Sequence, residues 1–165
     1  MEKLFERQRN EIEYHKKYAS KKVAFIEKSF SLDILDRSSR RWWNANWYMY
    51  DYILEQNLQG KCVLIVGCGF GDDAIRLAKL GADVYAFDIS AESLSIAKAL
   101  ADREGLNVSF EEMSAESLKY ENNFFDFIIA KDILHHVDIS RTVSEILRVS
   151  KTESIFIVNE IYSHS

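Results

Sequence analysis

Hydrophobic and polar positions repeat with two different periods along this chain, and the change falls near residue 60. Before it, Leu4, Phe5, Ile12, Tyr18, Phe25 and Ile26 are spread among charges over residues 2–29, an irregular helical spacing that predicts one long polar helix. A second helix is expected over about 40–57, where "RRWWNANWYMYDYILEQN" gathers Trp42, Trp43 and Trp47 with Tyr48, Tyr50 and Tyr52. From Gly60 onward short β-branched runs take over: "CVLIV" (62–66), "DVYAF" (83–87), "VSF" (108–110), "FFDFIIA" (124–130) and "SIFIVNE" (154–160). Between them, "DDAIRLAKL", "AESLSIAKALADRE" and "SRTVSEILRVS" set apolar residues at helical spacing. Strands alternating with helices imply parallel pairing through right-handed crossovers. The expected fold class is α/β, an open doubly wound, mostly parallel sheet, which binds ligands beyond the carboxyl ends of its strands where the winding reverses. Gly60 and Lys61 mark the boundary between an N-terminal helical cap (1–59) and the α/β core (60–165).

The first strand runs into "VGCGFGDD", where Gly67, Gly69 and Gly71 let the backbone turn sharply and approach a ligand with its N–H groups. A dinucleotide turn of the form GxGxxG wants its third glycine where this chain has Asp72, followed by Asp73. Two carboxylates at a helix N-terminus are stabilised by the helix dipole, but they repel a pyrophosphate. That argues against a nicotinamide dinucleotide oxidoreductase and for a zwitterionic or cationic ligand. Seventeen residues past Gly71, Asp88 ends the second strand, where an acid accepts hydrogen bonds from a ribose diol. Glycine turn and strand-end acid together predict a nucleoside ligand.

"VLIVGCGFG", "VYAFDIS", "SAESL", "FFDFIIAKDILHHV" and "ISRTVSEILRVSKTESIFIVNE", over about residues 60–161, resemble, in order, the successive motifs of class I S-adenosylmethionine-dependent methyltransferases. The resemblance implies a Rossmann-like sheet of strand order 3-2-1-4-5. It also implies S-adenosylmethionine as cofactor, S-adenosylhomocysteine as product, and direct methyl transfer to a small-molecule acceptor. On it, Gly67, Cys68 and Gly69, with Gly71 completing the turn, cradle the methionyl part. Asp88 binds the ribose hydroxyls, Ile89 packs on the adenine, and Ala115 offers its N–H to that ring. Ala130 and Lys131 lie beside the methionine and sulfonium. A ligand cationic at sulfur tolerates the acid at the turn.

Four positions depart from the family pattern. Ile65 stands where an acid usually precedes the first glycine by two residues. Ser114 replaces the aspartate of the adenine turn, leaving the exocyclic amine to Ser114, Glu116 or water. "KTES" (151–154) replaces the usual "KPGG" before the fifth strand. The chain stops at Ser165, short of the helix and β-hairpin that normally follow, so the apolar fifth strand is expected to be covered by a second copy, a homodimer, or by a partner chain, or else the chain is a fragment. With that shortening, the alternative to an active enzyme is a non-catalytic or partner-dependent protein of the same fold.

Candidate catalytic residues are His135, His136 and Glu160. The histidines, with Asp132 and Asp138 nearby, suit a polar role at the acceptor or a capping and packing role; as helix neighbours they point to different faces, poor geometry for a shared metal, and none is expected. In-line displacement is driven by positioning and needs no strong base. Glu160 faces either the acceptor or solvent, and Lys131 either the cofactor or solvent. Trp42, Trp43, Trp47 and Tyr48 pack on the core or line an aromatic pocket, and Arg40 and Arg41 sit on a helix surface rather than on a substrate phosphate.

Composition narrows the class further. At 165 residues and 47% hydrophobic, the chain makes one domain with a core. It holds no apolar run of the roughly 18 residues that cross a bilayer, and its charged start lacks a secretory h-region, so a cytoplasmic protein without membrane contact is expected. Cys62 and Cys68 have no zinc-type spacing and are expected to be reduced packing residues. The net charge of −5 splits into +4 for residues 1–41 and −9 for the rest, which disfavours nucleic acid and sets the N-terminal segment apart. That segment is either a solvated helical face or a lid or docking element for an acidic partner.

Overall fold

A computed structural model describes residues 6–26, 31–36, 38 and 45–160. Two helices come first, α1 (Glu6–Ile26) and α2 (Ala45–Glu55). The core then runs β1 (Cys62–Val66), α3 (Asp72–Lys79), β2 (Asp83–Asp88), α4 (Ala91–Arg103), β3 (Val108–Glu112), β4 (Phe125–Lys131), α5 (Ile139–Val149) and β5 (Ser150–Asn159). The five strands form one sheet in the expected order β3-β2-β1-β4-β5, and every pairing is parallel.

Strand residues alternate between two cores, as the period of two requires. Val63, Ile65, Val84, Ala86, Phe127 and Ile129 face α2, α3 and α4, packing with Ile53, Ile75, Leu94 and Ala97. Leu64, Val66, Phe87, Ile128 and Ala130 face the other way, toward Ile146 and Val149 of α5. Phe125 shares that second face although it is two residues from Phe127, because a bulge shifts the register between them. Helices on opposite faces are what turns the winding around between β1 and β4. The carboxyl ends of those two strands therefore open into a crevice.

Two boundaries correct the sequence expectation. α2 ends at Glu55 rather than near 57, and β5 begins at Ser150, not 154. Instead of a turn at "KTES", α5 passes into β5 without a loop; Ser150 ends the helix, its Oγ donating to the Ile146 carbonyl at 2.6 Å, and opens the strand. Polar Lys151, Thr152 and Glu153 suit this stretch because they lie exposed on the edge strand. Among the described residues β5 pairs on one side only, and Phe156 and Val158 are exposed along it.

α1 lies across α4, tied by Lys16 to Glu92 at 3.5 Å and by Arg103 to the Ile26 carbonyl. It is polar along its length, and no described helix is long and apolar enough to cross a membrane. Trp47 is half-buried and Tyr48 exposed; Trp42, Trp43, Arg40 and Arg41 lie outside the described residues.

Candidate functional site

A cavity of about 250 Å³ opens at the carboxyl ends of β1, β2, β3 and β4. The glycine turn forms its near wall. Cys68 N–H donates to the Phe87 carbonyl at 2.8 Å, and Gly71 N–H to the Cys68 carbonyl at 2.9 Å, so the bend is pinned to β2 before α3 begins. Gly67, Cys68 and Gly69 line the cavity. Gly69 has φ +52, and a Cβ there would meet nothing within 4 Å: the turn offers bare backbone to open space. Gly71 does different work. Its φ is +83, and a Cβ would stand 2.7 Å from the Ala97 Cβ, so the residue lets α3 pack against α4 and does not line the cavity.

Asp88 occupies the position expected of it and also holds the site together. Its Oδ2 accepts from Gly69 N–H at 2.8 Å and its Oδ1 from Ser90 N–H at 2.9 Å, joining the glycine turn to the start of α4. Ser90 in turn caps α4, its Oγ accepting from Ser93 N–H at 3.2 Å. Ile89 lines the cavity beside Asp88. The buried Cys68 thiol is held well above its ordinary range, first by burial and then by the Asp88 charge; both cysteines are unpaired.

Ser114, Ala115 and Glu116 form the opposite wall. Glu116 is buried, and both its oxygens are engaged: Oε1 accepts from Asp138 N–H at 3.0 Å, and Oε2 from the Gln8 side chain at 3.2 Å. Ser114 Oγ contacts that same Oε2 and accepts from Gln8 at 3.4 Å. Among the described residues α1 reaches the cavity through Gln8, which a pattern of charges and scattered apolar residues gives no reason to single out.

The two aspartates that follow the glycines diverge. Both line the cavity, but only Asp73 ties other elements together there. Asp73 is a hub, accepting from Tyr50 Oη, from Arg76 at 3.0 Å and from Lys131 Nζ at 2.9 Å. Burial alone would raise its carboxyl; the Lys131 charge, the Tyr50 hydrogen bond and Arg76 outweigh that and hold it below the ordinary range. Tyr50 moves up, chiefly through burial and then through Asp73. Lys131 lines the cavity, but its ammonium is paired with Asp73 rather than solvated. Ala130 is fully buried and does not line the cavity.

Beyond β4 the chain makes a short 3-10 turn, Leu134–His136, instead of continuing as a helix. This corrects the expectation for the histidines: their rings stack with centroids 3.9 Å apart. His136 lines the cavity; His135 turns outward to Glu160, Nδ1 to Oε2 at 2.8 Å. Glu160 faces neither the cavity nor solvent. Its side chain is 5% exposed, and Oε1 accepts from Ile133 and Leu134 N–H at 2.7 and 2.6 Å. Burial pulls its carboxyl up, but His135 and the two amides hold it below the ordinary range. Among the described residues no three His, Cys, Asp or Glu side chains gather as metal ligands would.

A sequence profile of the family described as "Methyltransferase domain" matches residues 64–158, more than half of the chain. A ubiquinone biosynthesis O-methyltransferase of Paraburkholderia phymatum is 35% identical over 112 residues, which cover 60% of this chain and 48% of that protein. Among solved structures, the YcgJ protein of Bacillus subtilis is 26% identical with a TM-score of 0.65, over 70% of this chain and 50% of its own. A [4+2]-cyclase, SpnF, is also 26% identical, with a TM-score of 0.63 over 84% of this chain and 56% of its own. The chain spans 31 to 48% of the length of the curated relatives it matches.

Proposed function

The chain belongs to the class I S-adenosylmethionine-dependent methyltransferase family, and on that premise we propose that it binds S-adenosylmethionine in this cavity and methylates a small-molecule acceptor. One observation carries the proposal: a single cavity is lined by the glycine turn, by Asp88 and by the turn from Ser114 to Glu116. The residues fit the cofactor. Gly69 leaves open space beside bare backbone, and the lining acids Asp72, Asp88 and Glu116 favour a cation over a pyrophosphate.

When bound, the cofactor supplies a methyl group on a positively charged sulfur. The methionyl end would lie against the glycine turn, where Gly67 and Gly69 carry no side chain; the Cys68 and Gly69 N–H groups are committed to the Phe87 carbonyl and to Asp88, so they brace the turn. Asp88 keeps one acceptor direction on each oxygen for the ribose diol while it braces the turn. Ile89 packs on the adenine and the Ala115 N–H donates to it. Ile65, Val66 and Phe87, buried beneath the turn, would give the bound group an apolar floor. His136, the histidine that lines the cavity, receives the acceptor's proton as the acceptor gains the methyl. His135 and Glu160 hold the 133–136 turn in position.

The relative from Paraburkholderia is named as an O-methyltransferase, so an oxygen nucleophile is the first acceptor class to test. The primary experiment is calorimetric titration with S-adenosylmethionine, S-adenosylhomocysteine and NAD, followed by assay of S-adenosylhomocysteine release with phenolic acceptors. Heat from the first two ligands and none from NAD is expected. Silence with both sulfur nucleosides at millimolar concentration refutes the cofactor assignment. Binding without turnover leaves the fold and the cofactor standing and refutes the activity.

A further inference from the structure

Asp132, the first residue after β4, lines the same cavity with a backbone φ of +52. Its amide donates to the Asn159 carbonyl of β5 at 2.8 Å. On its other side, Glu160 fixes the amides of Ile133 and Leu134. The left-handed bend is thus held from β5 at three successive residues. Aspartate tolerates that region better than most residues, but a strained conformation still costs on the order of 1–3 kcal/mol and marks functional sites.

The carboxylate has a second peculiarity: Oδ1 is buried with no hydrogen-bond partner. Asp88 and Glu116, the buried acids of the cavity, each accept an N–H on both oxygens, whereas Asp132 is half-buried. The adjacent cation does not serve Asp132, since Lys131 Nζ is committed to Asp73 at 2.9 Å. The carboxylate lines the cavity with no partner for either oxygen among the described residues, so a cationic donor in the cavity meets the more accessible Oδ2, while Oδ1 stays buried behind it.

We propose that Asp132 binds the α-ammonium group at the methionyl end of the cofactor, an inference that rests on the cofactor reading above. Its position supports this. Val66 pairs with Ala130, so β1 and β4 leave the sheet side by side, and Asp132 lines the same cavity as Gly67, Cys68 and Gly69. β1 itself supplies no acid, because Ile65 is apolar and 4% exposed. A bare glycine turn at the end of one strand and an acid at the end of the next place the ammonium at the switch point.

The test compares two nucleosides that differ in this end alone. S-Adenosylhomocysteine carries the amino-acid tail; 5′-methylthioadenosine keeps the adenosine and the sulfur without it. Asp132→Asn preserves shape and tolerance of the bend, and is expected to weaken S-adenosylhomocysteine by roughly 10- to 100-fold while methylthioadenosine stays within about twofold. Asp132→Gly, which relieves the backbone strain, is expected to unfold no earlier than wild type and to show the same selective loss. Equal losses on both ligands would assign Asp132 a structural role and overturn the proposal. So would unchanged binding of S-adenosylhomocysteine with only a slower methyl transfer, since the acid would then serve the acceptor. A wild-type chain that bound neither nucleoside would overturn the cofactor reading, and the ammonium assignment with it.

Discussion

Asp88→Asn exchanges one carboxylate oxygen for an amide nitrogen at a point where both oxygens are in use. The oxygens accept from Gly69 and Ser90 N–H at 2.8 and 2.9 Å. An amide keeps one of these bonds and sets its own N–H against the other donor. Losing a charge-assisted bond and stranding a buried backbone N–H together costs about 2–4 kcal/mol of folding stability. The ribose diol suffers separately, because an amide oxygen serves one hydroxyl where the carboxylate serves two. That loss is about 1.5–3 kcal/mol, or roughly 10- to 100-fold in affinity. Calorimetry with S-adenosylhomocysteine and its 2′-deoxy counterpart, on wild type and variant, closes a thermodynamic cycle that separates the two effects. Wild type is expected to lose affinity when the hydroxyl is removed, and the variant to lose little more. A disordered turn weakens both ligands alike and gives no coupling. If the four affinities are additive within about 0.5 kcal/mol, Asp88 does not touch the diol and the ribose lies elsewhere.

Two further predictions follow from contacts on the page. Gly71→Ala forces a left-handed alanine 2.7 Å from Ala97 Cβ; at about 1–2 kcal/mol for the backbone and about 1–3 for overpacking, the melting temperature should fall by roughly 5–15 °C, and a fall under about 2 °C would contradict the packing role. Glu160 has a folded-state carboxyl below its ordinary value of 4.5, so the stability it adds is present in full above that value and is lost as pH falls through the lowered one. Urea midpoints of wild type and Glu160→Gln should therefore differ at about pH 7 and converge toward about pH 3, whereas a constant gap would remove the ionised carboxylate from the account.

The core strands and α3 to α5 were legible because each apolar run is short, β-branched and closed by glycine or acid, while each helix keeps its apolar residues on one side. The early start of β5 was not. Lys151, Thr152 and Glu153 sit on an edge strand, where one flank is exposed and no hydrophobic alternation is needed to hold them. The glycine turn and Asp88 could be located from spacing, since a loop that must expose its backbone is written in glycines. Gln8 could not: a single amide in a polar helix carries no signal until that helix is laid across α4. The sequence leaves Glu160 facing either the acceptor or solvent, because its partners are backbone amides 26 and 27 residues earlier, and amides look the same at every position. For the histidines only the element differs, a 3-10 turn in place of a regular helix; the two still diverge, His136 to the cavity and His135 to Glu160.

The Asp73 hub has a consequence for how such sequences diverge. Its carboxylate joins Tyr50 of α2, Arg76 of α3 and Lys131 of β4, three elements far apart in the chain. A homologue that drops the acid removes the counter-ion of the Lys131 ammonium in the cavity wall and one counter-charge of Arg76; one that drops Lys131 leaves the acid short of its strongest counter-charge. Positions 50, 73, 76 and 131 are therefore expected to vary together, a relative altered at one of them carrying a matching change at another.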